Sequence, residues 1–268
     1  MKPVDYFANH TLFRFEDFVS WHAQQGARTV QSSQAVLKQH VHAGNLLHVR
    51  RRLYAVVPRG ISPDTLQLDP YLLAGHLTAD AVVAYHAALQ FHGKAHSVSR
   101  RFAYLTLTRV KAFEFRRTEF IPVPVPPSLR NLPDLGGGFR AERRGGVVVS
   151  VTTLERTLVD VLDAPRHGGG WEEIWRSLEG VEFFDLDAVI AYALKLGSAV
   201  TVARVGFYLE QHREELMVED HHLERLAQHA PKNPMYLDRG KREPGKFLAR
   251  WNLVVPERVL QRSWAEVT

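Results

Sequence analysis

GNLLHVRRRLYAVVP, residues 44–58, is the stretch whose reading decides the fold. Two short apolar, β-leaning segments, Leu46-Leu47-His48-Val49 and Leu53-Tyr54-Ala55-Val56-Val57, flank Arg50-Arg51-Arg52, and Pro58 closes the second. The pattern predicts a two-stranded hairpin with a charged tip. Three adjacent like charges repel one another and solvent screens only part of that repulsion, so an anionic partner would relieve it.

Upstream, FRFEDFVSWHAQQG (13–26) places Phe15, Phe18, Val19 and His22 at helical spacing and stops at Gly26, predicting a helix over about 15–25. ARTVQSSQAVLKQHVHAGNL (27–46) follows, in which Thr29 can cap a second helix with apolar positions Val30, Leu37 and Val41, ended by Gly44. VDYFANH (4–10) adds a leading helical turn. A helix–turn–helix followed at once by a hairpin is the winged helix-turn-helix order, in which the second helix lies in the DNA major groove and the wing lies against the backbone or minor groove.

On that reading Arg50, Arg51 and Arg52 form the wing tip, where guanidinium groups pair with phosphate and tolerate the narrow minor groove. Opposite its apolar stripe the second helix presents Gln31, Ser32, Gln34, Lys38 and His42, and Arg28 stands in the turn that leads into it. Glutamine can bond an adenine edge through two contacts, and lysine reaches guanine or phosphate. Tyr54 is expected to pack its ring on the helices with its hydroxyl at the surface.

The chain has 268 residues, enough for one large or two smaller domains. Composition shifts after Pro58: RGISPDTLQLDP (59–70) has two prolines, a glycine and little periodicity. The organisation expected is a winged helix over 1–60, a linker over 61–70 and a larger mixed domain over 71–268, α+β in class. No cysteine is present, which excludes disulfides, thiolate metal sites and cysteine nucleophiles. No apolar run approaches the roughly 20 residues that cross a bilayer, and the N-terminus lacks the apolar core of a secretion signal, so a soluble cytoplasmic protein is expected.

Net charge is +5 and unevenly spread. Residues 1–60 hold eight basic and three acidic side chains, residues 94–144 hold eleven and four, and residues 145–268 hold fifteen and nineteen. A basic N-terminal unit is the footprint of a polyanion partner. In the second basic block Arg100, Arg101, Arg109, Lys111, Arg116 and Arg117 are either a solvated sheet face or a second set of candidate DNA contacts, and strand alternation is expected to bring several of them onto one face.

Beyond the linker the sequence predicts helices over 71–77 and 80–91, then short strands in FAYLTLT, AFEFRRTEFIPVPV and GGVVVSV, with residues 123–138 as a long surface loop. In VTTLERTLVDVLDAP (151–165), Thr152 and Glu155 have capping-box spacing, Leu154, Leu158, Val161 and Leu162 make an apolar face, and Arg156 and Asp160 can pair. Four amphipathic helices, a last apolar strand in KFLARWNLVVP and a short helix in ERVLQRSW complete the chain.

Catalytic spacings are few. There is no G-x-x-x-x-G-K-[ST] and no H-E-x-x-H. Gly136-Gly137-Gly138 and Gly168-Gly169-Gly170 do not sit in a strand–helix unit, and His86, His92, His96 and the His221-His222 pair lack acids in a metal-site pattern. Neither metal nor cofactor is expected, nor is catalysis. A winged helix fused to a small restriction-like nuclease is the enzyme reading to weigh. Its metal-holding Glu-x-Lys or Glu-x-Gln does not occur, because no lysine or glutamine here has a glutamate two positions before it.

The residues also carry a resemblance. GNLLHVRRRLYAVVP is similar to the end of the N-terminal winged helix of AbiEi-type antitoxins, AVVAYHAALQFHG (81–93) resembles the helix that opens their second domain, and VTTLERTLVDVLD (151–163) resembles the helix in its middle. GWEEIWRSL (170–178) and WNLVVP (251–256) continue the match, so it covers nearly the whole chain in the expected order. The resemblance implies a type IV toxin–antitoxin or abortive-infection antitoxin. Such a protein binds inverted repeats in its own promoter, represses the operon as autoregulation, and counters a nucleotidyltransferase-type toxin, usually without a stable complex. Proteins of this kind commonly carry a glycine in the wing turn just before the Leu/Val-Tyr pair, where this chain has Arg52. The expected partners are therefore double-stranded promoter DNA and a cognate nucleotidyltransferase toxin, with no membrane. The alternatives are a nucleic-acid-processing enzyme with a degenerate nuclease-like domain and a pure interaction protein using the acidic helical half.

Overall fold

The first unit is built from short-range signals. Pro3 opens α1 (Pro3–Ala8), where its fixed φ and missing N–H cost nothing. The chain then makes β1 (Leu12–Arg14), α2 (Phe15–Gln24), α3 (Val30–His42), β2 (Leu46–Arg50) and β3 (Leu53–Val56). β3 lies between β1 and β2 and pairs antiparallel with both. Leu46 faces Val56 and Arg50 faces Leu53, which leaves Arg51 and Arg52 as the turn of the expected hairpin. The computed structural model describes residues 2–238, 240 and 242–264.

Strand alternation gives this sheet two apolar faces. Phe13, Leu46, Tyr54 and Val56 face the helices and join Tyr6, Phe7, Phe18 and Leu37 in an aromatic core. Tyr54 stacks on Phe13 with centroids 5.8 Å apart, and burial raises its pKa more than the nearby Arg52 lowers it. The other face, Leu12, Leu53, Ala55 and Val57, packs into the rest of the molecule.

Thr29 caps α3, its hydroxyl accepting from the amide of Ser32 at 3.2 Å, and Gly44 at φ +73° ends the helix region. The inner face differs from the expected one. Val30 is 52% exposed, because it stands in the first turn before the helix reaches α2. Leu37 is buried as expected, and Ser33 is buried in place of Val30, meeting Nδ1 of His22 at 2.9 Å and tying α3 to α2.

Leu66 of the linker is buried in the cluster shared by the two units. The chain continues through α4 (Pro70–Leu77), β4 (Val82–Val83), α5 (Tyr85–Phe91), β5 (Arg101–Thr106), β6 (Phe113–Phe115), β7 (Thr118–Pro124), β8 (Phe139–Arg144) and β9 (Val147–Thr152). These strands form a six-stranded sheet in the order β6-β7-β5-β4-β9-β8, with β4–β9 and β5–β7 parallel and the other pairs antiparallel.

The helix expected over 80–91 is shorter than its apolar pattern suggested. Asp80 accepts hydrogen bonds from Thr106 and Thr108 and from the amide of Leu107, so it is held at the end of β5. Val82 and Val83 then insert between β5 and β9, and Tyr85 at φ +58° turns the chain into α5. The 123–138 segment is not purely a surface loop. It contains short turns at Pro127–Leu129 and Pro133–Gly136, and Val125 and Leu129 are buried.

α6 (Leu154–Asp163) is capped by Thr153, not Thr152. Thr152 is the last residue of β9, and its buried hydroxyl lies 2.7 Å from that of Thr157. α7 (Trp171–Glu179), α8 (Leu186–Leu196), α9 (Ala199–Gln211) and α10 (Asp220–Ala227) follow and enclose the largest apolar core with α6. The last apolar run is two strands rather than one. β11 (Gly245–Leu248) turns through Ala249–Asn252 into β12 (Leu253–Pro256), β10 (Met235–Tyr236) pairs on the far side of β12, and α11 (Glu257–Leu260) ends the fold. Trp251 forces that turn, because its ring is buried where α9 has Gly206, and a Cβ there would stand 2.1 Å from it. The molecule is thus a mixed α+β protein. Among the described residues no helix is long and apolar enough to cross a membrane.

Candidate nucleic-acid interface

The outward face of α3 is a continuous, largely polar helix surface of the first unit. Gln31, Gln34, Ala35, Lys38, Gln39 and His42 are all exposed and recur at three- and four-residue steps along one side. Gln31, Gln34 and Lys38 were expected there from sequence. Gln39 was not, although it falls on the same stripe eight residues after Gln31. Ser32 is half-buried and belongs to the cap, its hydroxyl donating to the carbonyl of Thr29 at 2.7 Å. Arg28 is exposed in the turn before the helix. His40 turns inward against Phe7 with centroids 4.9 Å apart, and burial lowers its pKa.

The three arginines of the hairpin have three different environments. The Arg50 guanidinium lies 4.7 Å from the ring centroid of Phe113 in β6, and its Nη1 is buried without a hydrogen-bond partner among the described residues. It is therefore not a tip residue. A register shift between His48 and Arg50 turns it toward the second unit. Arg52 pairs with Glu16 and lies 5.1 Å from the ring of Phe15, so a carboxylate offsets its charge. Arg51 is exposed and makes no ion pair or hydrogen bond among the described residues. The turn is also tied down, since the amide of Phe15 donates to the carbonyl of Arg52 at 2.9 Å. Arg52 has φ +63°, a left-handed conformation that glycine adopts without a Cβ penalty.

The second basic block does not form one face. Arg101 opens β5 beside Glu119 of β7, with which it pairs at 3.5 Å, and Arg100 precedes it. Arg116 and Arg117 make the β6–β7 turn, where Arg116 donates to the carbonyl of Pro63. Arg109 and Lys111 lie on the crossover from the far end of β5 back to β6. Alternation fails because only Arg101 of the six is inside a strand. All six are exposed.

The buried ionic groups of the second unit are internal ties. Arg156 donates to Asp160 at 3.3 Å and to the carbonyls of Leu135 and Gly137, fastening the 135–137 backbone to α6. Tyr192 donates to the other oxygen of Asp160 at 2.7 Å. Burial raises the Asp160 pKa against the opposing pull of Arg156. Nε2 of His86 lies 2.9 Å from Glu173, which also accepts from Ser97 and Ser177. Burial pushes the Glu173 carboxyl up, but these hydrogen bonds outweigh it and hold its pKa down. Among the described residues no group of three or more His, Asp and Glu is arranged to hold a metal ion.

The arrangement defines an α+β protein that presents a polar helix face beside a short basic hairpin. No family model matches the chain, and no curated protein matches it. Among solved structures it is similar to the RV2827C protein from Mycobacterium tuberculosis, with a TM-score of 0.59 and 14% sequence identity, over 94% of this chain and 88% of that chain. At that identity the likeness concerns the fold alone.

Proposed function

We propose that this chain is a sequence-specific binder of double-stranded DNA, acting through a winged helix formed by its first six elements, and that it serves as an autorepressing antitoxin. The observation that carries the DNA reading is the exposed stripe Gln31, Gln34, Lys38, Gln39 and His42 on α3, beside the unpaired Arg51 at the hairpin turn. Two glutamines and a lysine at one-turn spacing match the reach of base edges in a major groove, and Arg51 and Arg28 supply phosphate contacts. The antitoxin part rests on the resemblance to AbiEi-type proteins. It makes the operator an inverted repeat in the chain's own promoter and the functional partner a nucleotidyltransferase toxin, with the protein acting in the cytoplasm and not as an enzyme.

Selection from a random duplex pool with the full chain tests the DNA reading. An enriched inverted repeat that recurs upstream of the chain's own gene supports it, and an unenriched pool refutes it. Co-expression with the product of an adjacent nucleotidyltransferase gene tests the antitoxin part. Growth rescued by this chain supports it, and growth arrest in its presence refutes it.

A further inference from the structure

The small C-terminal sheet presents an apolar row to solvent. Tyr236 of β10 and Phe247 of β11 both pair with Val254 of β12, from opposite sides, so the three residues stand in one line across the sheet. Their strand neighbours Leu237, Leu253 and Val255 are fully buried in the core, and alternation therefore sends this row to the outer face. Tyr236 is 38% exposed and Phe247 is 47% exposed. With strands about 4.8 Å apart, the two rings stand roughly 10 Å from each other across Val254.

The segment that carries this row is basic in sequence, whereas the rest of the C-terminal half is acidic. Residues 232–250 hold six basic and two acidic side chains, whereas the remainder of 145–268 holds nine basic and seventeen acidic. One of the two acids, Glu243, is engaged by Arg258 at 3.0 Å. Lys232 and Arg242 are exposed and take part in no ion pair among the described residues, whereas Lys246, opposite Val255, lies on the other face by the same alternation. Exposed rings alone would suit many partners. Unpaired cations in the same segment of chain favour a polyanion, and two separated flat rings on a sheet favour one whose bases are free to stack.

We propose that this outer face binds single-stranded nucleic acid, with bases stacking on Tyr236 and Phe247 and with Lys232 and Arg242 pairing with phosphates. The surface is distinct from α3 and independent of the duplex reading, since paired and stacked bases in a duplex cannot cover the rings.

Fluorescence anisotropy of the full chain with labelled oligo(dT) and oligo(U), each of about 12 nucleotides, tests it. Tyr236→Ala and Phe247→Ala should each weaken binding by roughly 5- to 150-fold, the range that corresponds to 1–3 kcal/mol per stacked base. Tyr236→Phe should retain binding, and Lys232→Ala should reduce its salt dependence. The two oligonucleotide arms report whether the sugar matters. Both rings are largely outside the core, so circular dichroism and thermal unfolding should match the parent. Arg51→Ala, which weakens duplex binding, should leave single-strand binding intact, and this separates the two surfaces. Failure of the full chain to bind either oligonucleotide, or undiminished binding by the double alanine variant, overturns the proposal. So does a dimer in sedimentation that Phe247→Ala dissolves while oligonucleotide affinity stays unchanged, since the row would then join two copies of the chain.

Discussion

Replacing the three hairpin arginines one at a time by alanine separates three kinds of contact that the sequence presents as one. Each phosphate contact contributes about 0.9 to the slope of log affinity against log salt. Arg51 is exposed and unpaired, so Arg51→Ala should lower that slope by about 0.9. Over a fourfold rise in salt this shrinks the loss of affinity by about 3.5-fold, against roughly 40-fold if all three arginines touched phosphate. Arg52→Ala should change the slope less, because Glu16 already balances its charge. Arg50→Ala should leave the slope unchanged and lower thermal stability instead, since its guanidinium packs on Phe113. A desolvated cation–π contact of this kind is worth up to about 2 kcal/mol. Anisotropy titrations of one operator duplex at several salt concentrations, with parallel thermal melts, measure both quantities. A slope that falls by the same amount in all three variants would refute the division of roles and place Arg50 on the DNA.

On α3, Gln34→Ala and Lys38→Ala should each cost roughly 1–3 kcal/mol at one operator position while sparing non-specific duplex, read by titrating single-base operator variants; a uniform loss over all sequences would make them phosphate contacts. Arg156→Ala leaves Asp160 buried without its cation and frees the 135–137 carbonyls, so it should cost about 3–5 kcal/mol in denaturant unfolding. Burial, reinforced by nearby arginine charges, lowers the pKa of both His167 and His212 to about 4. A histidine that binds its proton more weakly in the folded than in the unfolded state gives stability that is complete above about pH 6.5 and lost as pH falls toward about 4. Unfolding free energies across that window should therefore drop with acid, and His212→Gln should make the drop shallower. Arg52→Gly should leave the hairpin intact and match or exceed the parent in thermal stability, because glycine relieves the φ of +63° while an exposed ion pair contributes little.

Signals carried by neighbouring residues were legible in the sequence. The Thr29 cap, the Gly26 and Gly44 stops and the two apolar halves around Arg50-Arg51-Arg52 each act within a few residues, and the elements they predicted formed there. What was not legible depended on distant partners. Val82 and Val83 read as helix because their local pattern continues into Tyr85 and Leu89, yet strands on both sides claim their backbone. KFLARWNLVVP read as one strand because nothing local marks Trp251 as the plug opposite Gly206. The role of Arg50 was hidden for the same reason, since Phe113 is its neighbour only after folding. Gln39 was legible and overlooked, as it continues the Gln31–Ala35 step by one more turn.

The same distant contacts change how the two units relate. A basic winged helix on a linker would be expected to fold and bind by itself, with the second unit tethered nearby. Here β3 has apolar residues on both sides, Tyr54 and Val56 toward the helices and Leu53 and Ala55 toward Phe102, Tyr104 and Phe120 of the six-stranded sheet. Linker Leu66 fills the same cluster, and Arg14 donates to the carbonyl of His76 in α4 at 3.2 Å. Cutting the chain at residue 60 would expose that second face, at a cost near 25 cal/mol for each Å² of apolar surface returned to water. A small domain with few kcal/mol to spare is sensitive to such a loss. Weak DNA binding by a fragment of this kind would therefore report damaged folding as readily as missing contacts, whereas point changes on α3 and at Arg51 leave the shared core untouched. The orientation of α3 is accordingly set by the second unit as well as by its own helix pair, through a sheet that serves both cores.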